Sequence, residues 1–101
     1  TLSGLPTRVL FDNVTSDRAT ILQVFAPDRL GLLYTAAKKI HDLQLGIVAA
    51  KIGTYIDQVV DIFYVTDTQG EKIVDEARLQ SACDTLLETL EEFEAECLME
   101  Y

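Results

Sequence analysis

The sequence predicts an α+β sandwich: one four-stranded antiparallel sheet with two helices on one face. Three observations carry this. Two β-branched and aromatic segments open the chain, an apolar stripe at helical spacing separates them from a second such pair, and a longer stripe closes the sequence. The 101 residues, 49% hydrophobic and 25% charged, supply one domain and one core.

Arg8-Val9-Leu10-Phe11-Asp12 is short, β-branched and aromatic, and predicts a strand. Asn13 to Arg18 is a polar connection rich in turn formers. Ala19 to Ala26 predicts a stronger strand, stopped by Pro27. Asp28 is a good N-cap residue, and Leu33, Ala36, Ala37, Ile40 and Leu43 recur at helical spacing, so a helix is expected over 29–43. After Gly46 the pattern predicts strands at 46–54 and 58–66, then a polar stretch from Asp67 to Lys72. The final helix starts near Asp75 and carries Leu79, Cys83, Leu86, Leu90, Phe93 and Cys97 on one stripe. Its last few residues are expected to fray.

This order, ββαββα, contains the βαββα core of a ferredoxin-like sandwich. The usual fourth strand follows the last helix, yet nothing after Phe93 reads as a strand. The N-terminal strand, joined to its successor by a short connection, is expected to lie antiparallel beside it and fill the vacant slot. The expectation is a permuted four-stranded sheet.

A hairpin turn at Tyr55-Ile56-Asp57 would set Ile52 opposite Val60, Ala50 opposite Ile62 and Val48 opposite Tyr64. The other face would then hold Lys51 against Asp61 as an ion pair, Ala49 against Phe63 and Ile47 against Val65. In that register Ile21, Phe25, Ile47, Phe63 and Val65 share a sheet face that the helices do not cover. An uncovered face this apolar predicts a partner.

Seventeen carboxylates against eight Lys and Arg give a net charge of −9. Such a field repels phosphate and anionic lipid, so neither a nucleic acid nor a membrane surface is an expected partner. No apolar run is long enough to span a bilayer, and no basic-then-apolar leader opens the chain. Thr1 in place of an initiating Met is what a fragment of a longer protein would show. The two cysteines, Cys83 and Cys97, form no CxxC, which points to a reducing, cytoplasmic setting and to no metal or other cofactor.

Five blocks occur in order: Val9-Leu10-Phe11-Asp12-Asn13, Thr20 to Val24, Asp28-Arg29-Leu30-Gly31-Leu32-Leu33-Tyr34, Ala50-Lys51-Ile52-Gly53-Thr54, and Val60 to Asp67 running on to Gly70 and Lys72. Over about residues 8–90 the chain resembles an ACT domain. It is most like those at the C-terminus of the bifunctional uridylyltransferase/uridylyl-removing enzymes of PII nitrogen signalling, and like plant ACT-repeat proteins. The resemblance implies a non-catalytic regulatory module that forms a homodimer or pairs with another ACT domain, and that often binds an amino acid at the junction. Glutamine is the ligand implied first. Catalysis in such enzymes belongs to other domains.

The Asp28–Leu32 turn is the first candidate site. A glycine where a helix opens leaves backbone N–H groups approachable by a ligand carboxylate, favoured by the helix dipole. Asp28 would receive the ligand's ammonium group, with Arg29, Leu30, Gly31 and Leu32 around it. A plain reading stands beside this one: Asp28 caps the helix and Gly31 packs on the sheet. Leu30 occupies a position where the subfamily has proline. The resemblance implies a second wall in Ile47, Val48 and Ala49, after Gly46, where relatives carry Asp or Asn.

His41 reads as solvated surface, the cysteines as core or helix-end residues, and the six glutamates from Glu88 to Glu100 as a solvated helix face. A phosphatase on this sandwich lacks a cationic cradle, since only Arg29 lies at the glycine turn. RNA binding through Phe25 and Phe63 lacks positive charge. Two functions remain: an amino-acid sensor, or a structural pairing module without a ligand.

Overall fold

In the computed structural model, residues 6–55 and 58–99 are described. Six elements follow in the expected order: β1 (Arg8–Asp12), β2 (Thr20–Ala26), α1 (Leu32–Asp42), β3 (Gly46–Tyr55), β4 (Gln58–Thr66) and α2 (Glu76–Met99). The strands form one antiparallel sheet in the order β1-β2-β4-β3. Both helices pack on one face of it. Leu22, Val24, Ala26, Phe63 and Val65 meet Leu32, Ala36 and Ile40 of α1 and Leu79, Cys83, Leu86 and Leu90 of α2 in a single core. Phe93 is partly buried against that core, and Glu100 and Tyr101, where fraying was expected, lie outside the described residues.

Two expectations need correction. Helix α1 begins at Leu32, not 29, because Gly31 sits at φ +87° and closes a turn in which the Leu32 N–H donates to the Arg29 carbonyl at 3.0 Å. That left-handed conformation suits glycine and strains other residues. Asp28 therefore does not cap the helix. The later start also turns Leu32 inward and Leu33 out, where it is 40% exposed. Helix α2 starts as expected. Asp75 Oδ1 accepts from the Ala77 and Arg78 N–H groups at 3.0 and 3.3 Å.

The second correction is the register of the central hairpin. Tyr55 pairs with Gln58, so two residues rather than three connect the strands; those two, Ile56 and Asp57, lie outside the described residues. The pairs shift by one place accordingly: Ile52 opposes Asp61, Lys51 opposes Ile62 and Ala50 opposes Phe63. Two-residue connections match strand twist best. An irregularity between Ile47 and Ala49 takes up the extra residue, and beyond it Ile47 opposes Val65 as expected.

With the shift the faces of β4 exchange. Asp61, Phe63 and Val65 turn toward the helices and are buried, while Val60, Ile62 and Tyr64 lie opposite Phe25, Gln23 and Ile21 on the face without helices. Ile47 joins the helix side with its partner Val65. The expected Lys51–Asp61 ion pair does not form. Instead Lys51 Nζ lies 5.4 Å from the Tyr64 ring centre, and the Arg8 guanidinium lies 4.3 Å from that of Phe25. Two cations thus cover aromatic rings on the helix-free face.

At one end of the sheet the polar groups around Thr20 pair with one another. Thr20, fully buried, donates its hydroxyl to Asn13 Oδ1 at 2.8 Å and accepts the Ile73 N–H at 3.0 Å. Asn13 Nδ2 returns a bond to the Ile73 carbonyl at 2.8 Å, and Lys72 Nζ reaches the Asn13 carbonyl at 2.8 Å. This knot ties the connection into α2 onto the β1–β2 turn.

Candidate functional site

At the opposite end lies a cavity of about 550 Å³, between the turn that opens α1 and the ends of β3 and β4. Its upper wall is Asp28 to Tyr34; its floor is Ile52, Gly53 and Thr54 of β3 with Val59 and Asp61 of β4. A larger depression of about 650 Å³ lies at the far end among Asp17, Arg18, Asp67 and Lys72. Its walls are solvated loops, and Asp67 Oδ1 is already occupied by the Gln69 and Glu71 N–H groups at 2.8 and 3.0 Å. Among the described residues, unmet polar chemistry gathers in the cavity beside α1.

Three features create that chemistry. Among the described residues the α1 N-terminus has no side-chain cap, and the Leu33 and Tyr34 N–H groups meet no backbone acceptor. Those donors and the positive end of the helix dipole suit a carboxylate. Asp61, only 2% exposed, has an Oδ1 with no hydrogen-bond partner. Burial first, and the neighbouring Asp28 carboxylate second, push its pKa above the ordinary aspartate range. The Nε of Arg29 is likewise buried and unpartnered. Buried polar groups without partners are costly, so natural proteins keep few of them.

Asp28, Arg29, Leu30, Gly31 and Leu32 all line this cavity. Ile47, Val48 and Ala49 do not; they lie toward the other end of β3, and β3 contributes Ile52, Gly53 and Thr54 instead. Gly46 is farther still, beside Thr66, whose Oγ1 would lie 3.2 Å from an added Cβ. Sequence reasoning took Asp61 first as an ion-pair partner, with a ligand role as the lesser reading, and did not place it on this cavity. The signal was present, a carboxylate in the middle of Val59-Val60-Asp61-Ile62-Phe63, but the one-place register error gave it Lys51 as a partner.

Other candidates stay in their plainer roles. His41 is exposed, Cys83 is buried with its thiol pushed up to about 11 chiefly by burial, and Cys97 is half-buried; both thiols are free. Among the described residues no cluster of His, Cys, Asp and Glu is arranged to hold a metal, and no helix is long and apolar enough to cross a membrane.

Comparison with known proteins converges on one family. A family model described as "ACR9-like, ACT-like domain" matches residues 8–93. The bifunctional uridylyltransferase/uridylyl-removing enzyme of Novosphingobium aromaticivorans is 43% identical over 84 residues, 83% of this chain. Those of Gluconobacter oxydans and Azospirillum brasilense are 43% and 41% identical over 86 residues, 85% of the chain. In each case the match spans 9% of the relative's length. No solved structure matches. From residue 8 to residue 93, then, the chain belongs to the ACT-like domain family, a family of regulatory rather than catalytic domains.

Proposed function

We propose that this domain senses an amino acid, glutamine first, and pairs with a second copy or another ACT domain inside a larger enzyme of the uridylyltransferase type. The observation that carries the reading is the cavity beside α1. It sets free N–H donors within one small space of an unpartnered carboxylate, which is the complement of a zwitterion's two charges. Exposed apolar side chains around the cavity support pairing: Leu30 is fully exposed, Tyr34 70% and Ile52 63%. A second domain seated on these side chains would bury them and roof the cavity. The signal would then be the ligand's preference for one arrangement of the parent enzyme. In this reading β1 takes the slot of the missing fourth strand of a permuted ferredoxin-like sheet, and the two free thiols fit a cytoplasmic setting.

A purely structural pairing module is the second reading. The same exposed apolar side chains favour it, together with a glycine at position 46, where the family resemblance implies a polar side chain in many members. Calorimetric titration of the chain with L-glutamine and a panel of other amino acids separates the two. Saturable heat, lost when Gly31 is replaced by a bulkier residue, is expected of the sensor. A folded, dimeric domain that gives no heat at millimolar ligand is a pairing module. Sedimentation as a monomer at tens of micromolar would remove the pairing from both readings.

A further inference from the structure

Among the described residues, the side-chain atoms that are both buried and without a partner are Oδ1 of Asp61 and Nε of Arg29. Both belong to residues lining the cavity beside α1. Asp61 projects from the middle of a central strand, between Val24 and Ile52 on its neighbours, where an apolar side chain would complete the core. Its backbone serves the sheet ladder, yet its Oδ1 meets no donor among the described residues. Asp28, whose charge acts on it, is another carboxylate and makes its ionised form harder to hold. A group this costly and this well enclosed is accounted for by a cation that arrives from outside. Lys51, the one cation of β3, lies on the opposite sheet face over Tyr64 and does not fill the role.

Resting on the amino-acid reading of the same cavity, we infer that Asp61, with Asp28 at the rim, is the receptor for the ligand's primary ammonium group. The ligand's carboxylate then faces the free Leu33 and Tyr34 N–H groups and Arg29. The two ends of the cavity differ in sign, so selectivity falls on the ammonium. A ligand without it leaves the Asp61 carboxylate buried and unpaired, while an α-amino acid satisfies it. Removing one partner from a charged buried contact costs about 10- to 100-fold in affinity.

The test follows the Asp61 side-chain carboxyl resonance in the 13C-labelled chain. It is titrated with L-glutamine, with 4-carbamoylbutanoate (glutamine without its amino group) and with L-glutaminamide (glutamine without its carboxylate). The expected result is that glutamine and glutaminamide move the resonance and 4-carbamoylbutanoate does not. Asp61→Asn is expected to melt at a higher temperature and to bind glutamine about tenfold or more weakly. Binding of 4-carbamoylbutanoate as tightly as glutamine, or unweakened glutamine binding by Asp61→Asn, would overturn the assignment and leave amino-acid sensing intact. A resonance moved by glutaminamide but by no free amino acid keeps the ammonium receptor and removes the sensing reading. Silence toward every compound removes both. Movement with protein concentration alone gives Asp61 to a side chain of a second copy and overturns the ligand assignment. Because the titration uses the unaltered chain, it decides the matter even if the variant fails to fold.

Discussion

Thr20 and Asp61 both stand on the two central strands, face the helices and are almost wholly buried, yet their surroundings differ completely. Around Thr20 the donors and acceptors close on one another: hydroxyl to Asn13, Ile73 N–H to hydroxyl, Asn13 amide to Ile73 carbonyl. Around Asp61 the accounting stops, with an oxygen that has no donor and a second carboxylate close by. The first end is finished as structure. The second leaves a buried carboxylate oxygen unmatched among the described residues, so the two ends of one sheet differ in how far their polar groups are satisfied.

The largest expected effect lies at the finished end. Thr20→Val keeps the shape but orphans Asn13 Oδ1 and the Ile73 N–H, and should destabilise the fold by about 2–3 kcal/mol in chemical denaturation. A loss under about 0.5 kcal/mol would break the contrast, by showing that the knot contributes nothing.

Asp61→Asn should have the opposite sign, a gain of about 1 kcal/mol at neutral pH, because it removes an unpaired buried charge. The pH dependence sharpens this. Since the pKa of Asp61 is raised on folding, the folded state holds its proton more tightly than the unfolded chain. Its contribution to stability therefore falls as pH rises from the ordinary aspartate range through the raised value, and is constant above it. Asp12 and Asp67 run the other way. Their pKa values are lowered, Asp12 chiefly by the Thr15 hydroxyl and Asp67 chiefly by the Glu71 N–H, so the stability they add is lost on acidification. Urea titrations of wild type and Asp61→Asn across pH 3–8 should show a difference that grows with pH and then levels. A difference independent of pH would contradict the raised pKa.

Gly31→Ala should cost about 1 kcal/mol, all of it from the left-handed backbone. The added Cβ would meet the Phe93 ring at 3.6 Å, an ordinary contact. The smallest effect belongs to the exposed Lys38–Asp42 pair at 3.5 Å, remote from both ends of the comparison. Lys38→Ala should cost under about 0.5 kcal/mol, and less in high salt.

Element order, strand boundaries and the stripe of α2 were legible because apolar periodicity is a property of the chain itself. The Asp28–Leu32 turn was legible as a special stretch of backbone because a glycine stands between apolar helix positions, and the fold sets that turn against the cavity beside α1. The register was not. A hairpin one residue shorter than supposed moves every partner by one place, and with a side-chain period of two that exchanges the faces. Phe63 and Val65 thereby passed from the supposed open face into the core, and Asp61 passed from a surface ion pair to the cavity floor. The start of α1 was misjudged for a local reason: Asp28 has the chemistry of a cap, but a left-handed Gly31 sets the boundary without one.

The central β2–β4 pair brings a further consequence. Its strands are separated in sequence by all of α1 and β3, so this pairing closes the longest loop in the sheet and is expected late in folding. The cavity beside α1 is assembled by that closure, since Asp28 follows β2 and Asp61 belongs to β4. A molecule held there meets its site only after the slow step has passed. It should act as a latch on the finished fold, lowering the unfolding rate in stopped-flow measurements while leaving the refolding rate unchanged.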